Sequence, residues 1–243
     1  MILPDQTGDM SRPMEHLTSK ALESAFLALR VVLPATTPRA PKQFYALHDL
    51  QAAFQALKAP LAAAKDRGGL INPWALASLN RDEVRNAAAL AGLWMSEFGG
   101  APSRRFASTY LTTAIPEIDW SIELGDGYRV EKEVCPLGEG ADRVDLVIVT
   151  SRHLIGVEVK IRAGLGRDQL ERYSLAIGRR ADLQRLKPWV VLLAPFRTSL
   201  PTVASTSWRD VARAARAAAG EKGADRSFVQ HLIASFGDHV QDF

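Results

Sequence analysis

Two apolar-rich runs separated by four residues, 143–149 (RVDLVIV) and 154–161 (LIGVEVKI), constrain this chain more than any other feature. If residues 150–153 form the loop of an antiparallel hairpin, Val149 pairs with Leu154 and every later opposing pair follows. Ile148 then faces Ile155, Leu146 faces Val157 and Val144 faces Val159, an aliphatic face that has to be core. On the other face Asp145 lies opposite Glu158, and Lys160, two residues on, returns to the same side. Opposed side-chain carbons in such a pair are only ~5 Å apart, so the two carboxylates repel unless a cation separates them.

Mg²⁺ suits that position, because it is a hard ion commonly held by one or two carboxylates together with substrate phosphate; Mn²⁺ can substitute. Such an ion polarises a phosphate oxygen, and the Lys160 ammonium would orient the attacking water or neutralise charge building on phosphorus. Spacing alone also fits a plainer arrangement, an exposed strand face with a Glu158/Lys160 diagonal pair and a solvated Asp145.

Helical and extended segments surround this hairpin in a readable order. Residues 14–32 and 43–66 are Ala/Leu-rich with helical spacing, separated by the proline-punctuated LPATTPRAPK. A helix is predicted over 81–98 with Val84, Ala87, Ala88, Ala91, Trp94, Met95 and Phe98 on its buried face, stopped by Gly99-Gly100. IDWSIEL (118–124) and YRVEKEV (128–134) read, with the two hairpin runs, as consecutive strands, and Asp126-Gly127 as a hairpin connection. A helix over 166–180 follows, then PWVVLLAP as a strand buried on both faces. Ser207 and Asp210 have the spacing of a capping box that opens a helix anchored by Trp208, and a last helix covers 228–236. The fold class is α/β, ordered helix, three antiparallel strands, helix, strand, helices: a mixed central sheet flanked by helices. Residues 1–70 form a helical N-terminal extension and 71–243 the main domain.

Composition bounds the function classes. With 47% apolar and 23% charged residues, the chain is that of an ordinary globular protein, and no stretch approaches the length needed to span a bilayer. The expected location is the cytoplasm, with no membrane partner. Cys135 is the single cysteine and reads as a small hydrophobe, so neither an internal disulfide nor a cysteine-rich zinc site is expected. His153 and His231 have no partners at metal-ligand spacing and read as surface or core histidines, and Gly164-Leu165-Gly166 lacks the residues that complete a phosphate loop. The net charge of +3 is mild, but residues 162–187 carry seven basic residues (Arg162, Arg167, Arg172, Arg179, Arg180, Arg185, Lys187) against three acidic ones. That basic segment suits a phosphate backbone, and equally a solvated helix face.

Asp145, a strand turn, then Glu158-Val159-Lys160 resembles the signature of the PD-(D/E)XK nuclease superfamily, with Val144 standing where many members have proline. That superfamily's restriction-endonuclease-like core has the helix, three-strand, helix, strand order read above, and the resemblance covers about residues 72–215. It implies a Mg²⁺-dependent nuclease acting on DNA, with RNA left open. Asp145, Glu158 and the Val159 backbone carbonyl would hold the metal, and Lys160 would be catalytic. Some branches carry Gln-x-x-x-Tyr on the following helix, matched by Gln169 and Tyr173. Gln169 is thereby implied at the catalytic centre. Gln169, Tyr173 and Arg180 share a helix face and, with Arg162 and Arg167, are expected to contact nucleic acid. An upstream glutamate is also implied as a metal ligand. Glu83 is the candidate, with Glu131 and Glu133 as competitors; Asn80 and Glu83 together also fit a capping box.

Three functional readings follow. The first is a metal-dependent deoxyribonuclease, in phage defence, restriction or repair. The second is a nucleic-acid-binding module that keeps the nuclease fold without turnover, and the third an interaction domain with no nucleic-acid partner. The N-terminal helices are candidates for homodimerisation or for binding a partner protein.

Overall fold

The computed structural model describes residues 46–66, 68, 70–134, 144–166, 168–221 and 226–243, with no side-chain description for 133 and 134. The helix expected over 14–32, the proline-rich connection, Cys135, Arg167 and the side chain of Glu133 therefore lie outside the described residues. The chain divides into Met1–Pro60 and Leu61–Phe243. The boundary falls inside helix α1 (Leu47–Asp66), none of whose residues is buried. No described helix is long and apolar enough to cross a membrane.

The second unit is an open five-stranded mixed sheet in the order β1-β2-β3-β4-β5, flanked by helices. Three strands are antiparallel neighbours: β1 (Arg129–Val134), β2 (Val144–Val149) and β3 (His153–Val159). β4 (Lys187–Leu193) and β5 (Val203–Thr206) run parallel to β3. The hairpin register is the one the sequence dictates, with Val149 on Leu154, Ile148 on Ile155 and Leu146 on Val157. His153, expected in the loop, extends β3 because it also pairs with Lys187 of β4. The four-residue run of β5, too short to show a period, was not expected as a strand.

Each sheet face has its own core. Leu146, Ile148, Ile155, Val157 and Val159 face the helices α3 (Glu83–Trp94), α4 (Ser96–Ala114), α7 (Trp208–Ala219) and α8 (Phe228–Val240). Val147, Val149 and Leu154 face α6 (Gln169–Gln184). Val144 is the exception to alternation: expected beside Leu146, it joins the α6 cluster instead. Val144 lies beyond the last β2–β3 pair, Leu146 on Val157, and pairs with Val134 of β1.

Several local expectations are corrected. IDWSIEL is not a strand: Asp119 accepts hydrogen bonds from the amides of Ser121 and Ile122 and caps the short helix α5 (Trp120–Glu123). Asp126-Gly127 consequently joins α5 to β1 and is no hairpin turn. The helix expected over 81–98 breaks at Met95, whose extended backbone separates α3 from α4. Gly100, at φ 61° and ψ −143°, is non-helical and separates two helical segments of α4, so a break does fall at the expected Gly99-Gly100. The buried stripe of α3 keeps the expected Ala87, Ala91 and Trp94 and adds Asn86, Leu90 and Leu93, while Val84 and Ala88 of α3 and Phe98 of α4 are exposed. The capping box of Ser207 and Asp210 forms and opens α7, and the turn helix α2 (Pro73–Leu76) precedes α3.

Candidate functional site

The end of the β2–β3 ladder is where ionisable groups gather. Beyond Leu146 and Val157, the amide of Val159 donates to Asp145 Oδ2 at 2.8 Å, so a side-chain carboxylate takes up a main-chain donor just past the last ladder pair. The Asp145 carboxylate lies near enough to Glu158 to push that carboxyl's pKa up. Lys160 follows on the same strand, and its Nζ lies 2.6 Å from Glu158 Oε1. The two carboxylates and the amine predicted on one hairpin face are thus brought together.

Glu83 completes the cluster from α3. Its Oε2 accepts from the amide of Ile161 at 2.8 Å, and its Oε1 lies 3.3 Å from Lys160 Nζ. The alternative reading of Glu83 as half of a capping box does not hold: Asp82 is the N-cap and accepts from the Arg85 amide, while Asn80 turns back to the carbonyl of Ser78. Glu131, a competitor for the same place, is instead held by Arg129 and Arg180.

From the α6 side the cluster is closed. Gln169 Nε2 donates to Glu158 Oε1 at 2.7 Å and to Tyr173 Oη at 2.8 Å, and its Oε1 accepts from the Gly166 amide. The amide is therefore fixed at both ends. The Tyr173 ring packs in the α6 core while its hydroxyl bonds to Gln169. It offers no exposed phenol for a phosphate. Arg180, expected on the same stripe, donates from Nη2 to both carboxylate oxygens of Glu131, at 2.8 and 3.1 Å. Arg162 is exposed just beyond the end of β3, and Arg172, Arg179 and Arg185 lie on the outer surface.

Burial makes these charges costly. Glu158 is 1% exposed and its Oε2 has no hydrogen-bond partner. Burial, and then the Asp145 carboxylate, push Glu158 up to about 7 against the pull of Lys160. Asp145 is raised by the same burial and by Glu83, with the Val159 amide and Lys160 opposing. For Lys160 burial works against the ammonium, but the Glu158 hydrogen bond and the surrounding carboxylates outweigh it and raise its pKa. The arrangement is a buried excess of negative charge, three carboxylates around one amine, with an oxygen left unsatisfied. Among the described residues no three His, Cys, Asp or Glu side chains form a ready-made metal cage.

Two supporting contacts were not legible in the sequence. The indole of Trp208, read only as an anchor, donates to the Lys160 carbonyl at 2.8 Å and fixes the backbone that carries the amine. At the opposite end of the hairpin, Glu123 is fully buried and accepts from Thr150 Oγ1, Arg152 and His153. Burial opposes that charge, yet these donors hold Glu123 down at about 2. His153 is accordingly a buried partner of Glu123, and His231 is exposed. In comparisons with known proteins, no family model, curated protein or solved structure matches the chain.

Proposed function

We propose that this protein is a metal-dependent nuclease that hydrolyses phosphodiester bonds of DNA, built on a restriction-endonuclease-like core of the PD-(D/E)XK kind. The observation that carries the reading is the convergence of Glu83, Asp145, Glu158 and Lys160 on one strand end, with Glu158 Oε2 buried and unpartnered. The order of helices, three antiparallel strands, a helix and a parallel strand also supports it.

The donor set fits Mg²⁺ or Mn²⁺. Carboxylate oxygens suit a hard ion that needs only one or two protein carboxylates and keeps its remaining positions for water and phosphate, so a closed cage is not required. Asp145 and Glu158 would hold it, with Glu83 and the carbonyl of Val159 as further ligands. That carbonyl leaves the strand on the same side as the Val159 amide, toward Asp145. When bound, the ion supplies Lewis-acid polarisation of a phosphate oxygen.

The chain's own residues do the rest. Hydrolysis joins a water oxygen to phosphorus and breaks one P–O ester bond; the water loses a proton to solvent and the departing oxygen gains one. Lys160 orients that water and neutralises charge on phosphorus. Gln169 holds Glu158 in place through Oε1, and the Val159 amide holds Asp145. The test is incubation of plasmid and single-stranded DNA with Mg²⁺ or Mn²⁺. Lys160→Ala and Glu158→Ala are each expected to lose about a hundredfold or more of the wild-type rate, and cleavage that survives either change refutes the assignment.

A second reading, a DNA-binding module without turnover, is favoured by one observation: the Lys160 ammonium already neutralises Glu158 at 2.6 Å. Binding of DNA by the wild type with no cleavage under any divalent ion would select it.

A further inference from the structure

One side of the carboxylate cluster opens on a cavity. Gln169 and Tyr173 cover Glu158 from the α6 side, whereas Asp145 also lines a cavity of about 280 Å³ between α3 and the β1–β2 pair. Its other walls are Val84, Ala87, Ala88 and Leu146, with Lys132 of β1 at its rim. Val84 stands next to Glu83 in the first turn of α3 and leaves 59% of its surface in solvent, an apolar side chain exposed beside an acidic centre. Lys132 sits opposite Leu146 in the ladder, is exposed, and has no ion-pair partner among the described residues.

A pocket with apolar walls, one cation and one carboxylate in its lining matches one nucleotide, whose base has apolar faces that pack on aliphatic side chains and whose phosphate is anionic. The volume is near the lower bound of pockets that enclose small organic ligands, ~300–1,000 Å³, which leaves room for one base with its sugar and none for a base pair. Taking the site as the nuclease centre proposed above, we infer that this cavity receives a single unpaired nucleotide beside the scissile phosphate. Its base and sugar rest on Val84, Ala88 and Leu146 and its phosphate pairs with Lys132. The preferred substrate is then single-stranded DNA or an unpaired end. DNA approaches along α3 and β1, on the opposite side of the cluster from the basic helix that the sequence pointed to.

The experiment compares Lys132→Ala, Lys132→Arg and Ala88→Trp with the wild type on a labelled single strand and on the same strand annealed to its complement. Binding is read by fluorescence anisotropy over a salt series with Ca²⁺ in place of Mg²⁺, and cleavage is read with Mg²⁺. Lys132→Ala should weaken single-strand binding and reduce the slope of log affinity against log salt by about 0.7, the signature of one lost phosphate contact. Lys132→Arg should restore it. Ala88→Trp, at an exposed position that fills the cavity, should raise KM for the single strand at unchanged thermal stability.

Wild-type cleavage of duplex as fast as single strand would overturn the inference, as would wild-type salt slope and KM in both Lys132→Ala and Ala88→Trp. Either result leaves the nuclease assignment standing. If the wild type cleaves neither substrate, the nuclease assignment falls, while the salt slope and the strand preference in Ca²⁺ still decide whether the cavity holds an unpaired nucleotide.

Discussion

Gly156 joins the stability of the fold to the geometry of its site, and replacing it by alanine tests both. It pairs with Val147 on the α6 face of the sheet, two residues before Glu158. A Cβ built there would meet Ile177 Cγ1 at 2.8 Å and Cδ1 at 2.9 Å, and Val144 Cγ1 at 3.5 Å. The first two distances are far inside the ~3.5–4.0 Å optimum for carbon contacts, and Ile177 is fully buried, so either its rotamer or α6 itself must move. Overfilling a close-packed core in this way costs about 1–3 kcal/mol. For a domain of this size about 2–4 °C is lost per kcal/mol, so the expected fall in Tm is about 2–12 °C.

Ile177→Ala alone should cost about 2–5 kcal/mol for the cavity it opens. In the double variant the new methyl group occupies part of that space, and the combined loss should fall short of the sum by roughly 0.5–3 kcal/mol. Urea unfolding of the wild type, the two single variants and the double variant measures this coupling directly. A Gly156→Ala protein within about 0.5 kcal/mol of wild type, or singles that add within ~0.3–0.5 kcal/mol, would refute the contact. Since α6 also carries Gln169, displacement of the helix should reduce DNA cleavage by Gly156→Ala, and the double variant should recover part of it.

Glu123→Gln should lower stability at neutral pH by roughly 1.5–3 kcal/mol, the range for hydrogen bonds to a charged group. Because folding holds the Glu123 carboxyl at about 2 against an ordinary 4.5, its contribution is complete above about pH 4.5 and is lost as pH falls toward 2. Urea midpoints should therefore fall less steeply with acid in the variant than in the wild type, and parallel profiles would refute that role. Arg180→Ala should cost about 1.5–3 kcal/mol through the loss of its bonds to Glu131, while affinity for DNA stays within about twofold. Weaker DNA binding at unchanged Tm would return Arg180 to the phosphate-contacting surface. Mg²⁺ or Mn²⁺ at a hundred times Kd should stabilise the wild type by about 2.7 kcal/mol. Glu158→Ala should remove that gain, and an equal gain in both proteins would place the ion elsewhere.

Much of the site could be read before any coordinate. Asp145, Glu158 and Lys160 are brought together by a hairpin register that only the alternation of apolar residues dictates, and Gln169 and Tyr173 by the spacing of one helix face. Val144 departs from its expected face where β2 has run past its last pair with β3. IDWSIEL misled because an apolar/polar alternation of that length is overridden by the Asp119 cap.

By itself, then, the amino-acid order specified the hairpin, the carboxylates gathered at its end and the helix that follows, because strand and helix periods are properties of neighbours in the chain. Only the tertiary structure decided that Glu83 reaches Lys160 and Ile161, that Trp208 holds the Lys160 carbonyl, and that Arg180 is paired with Glu131. It alone also placed Lys132 and Val84 around one cavity. These contacts join elements distant in sequence, and they are fixed by how helices settle on the two faces of the sheet, which no local period records.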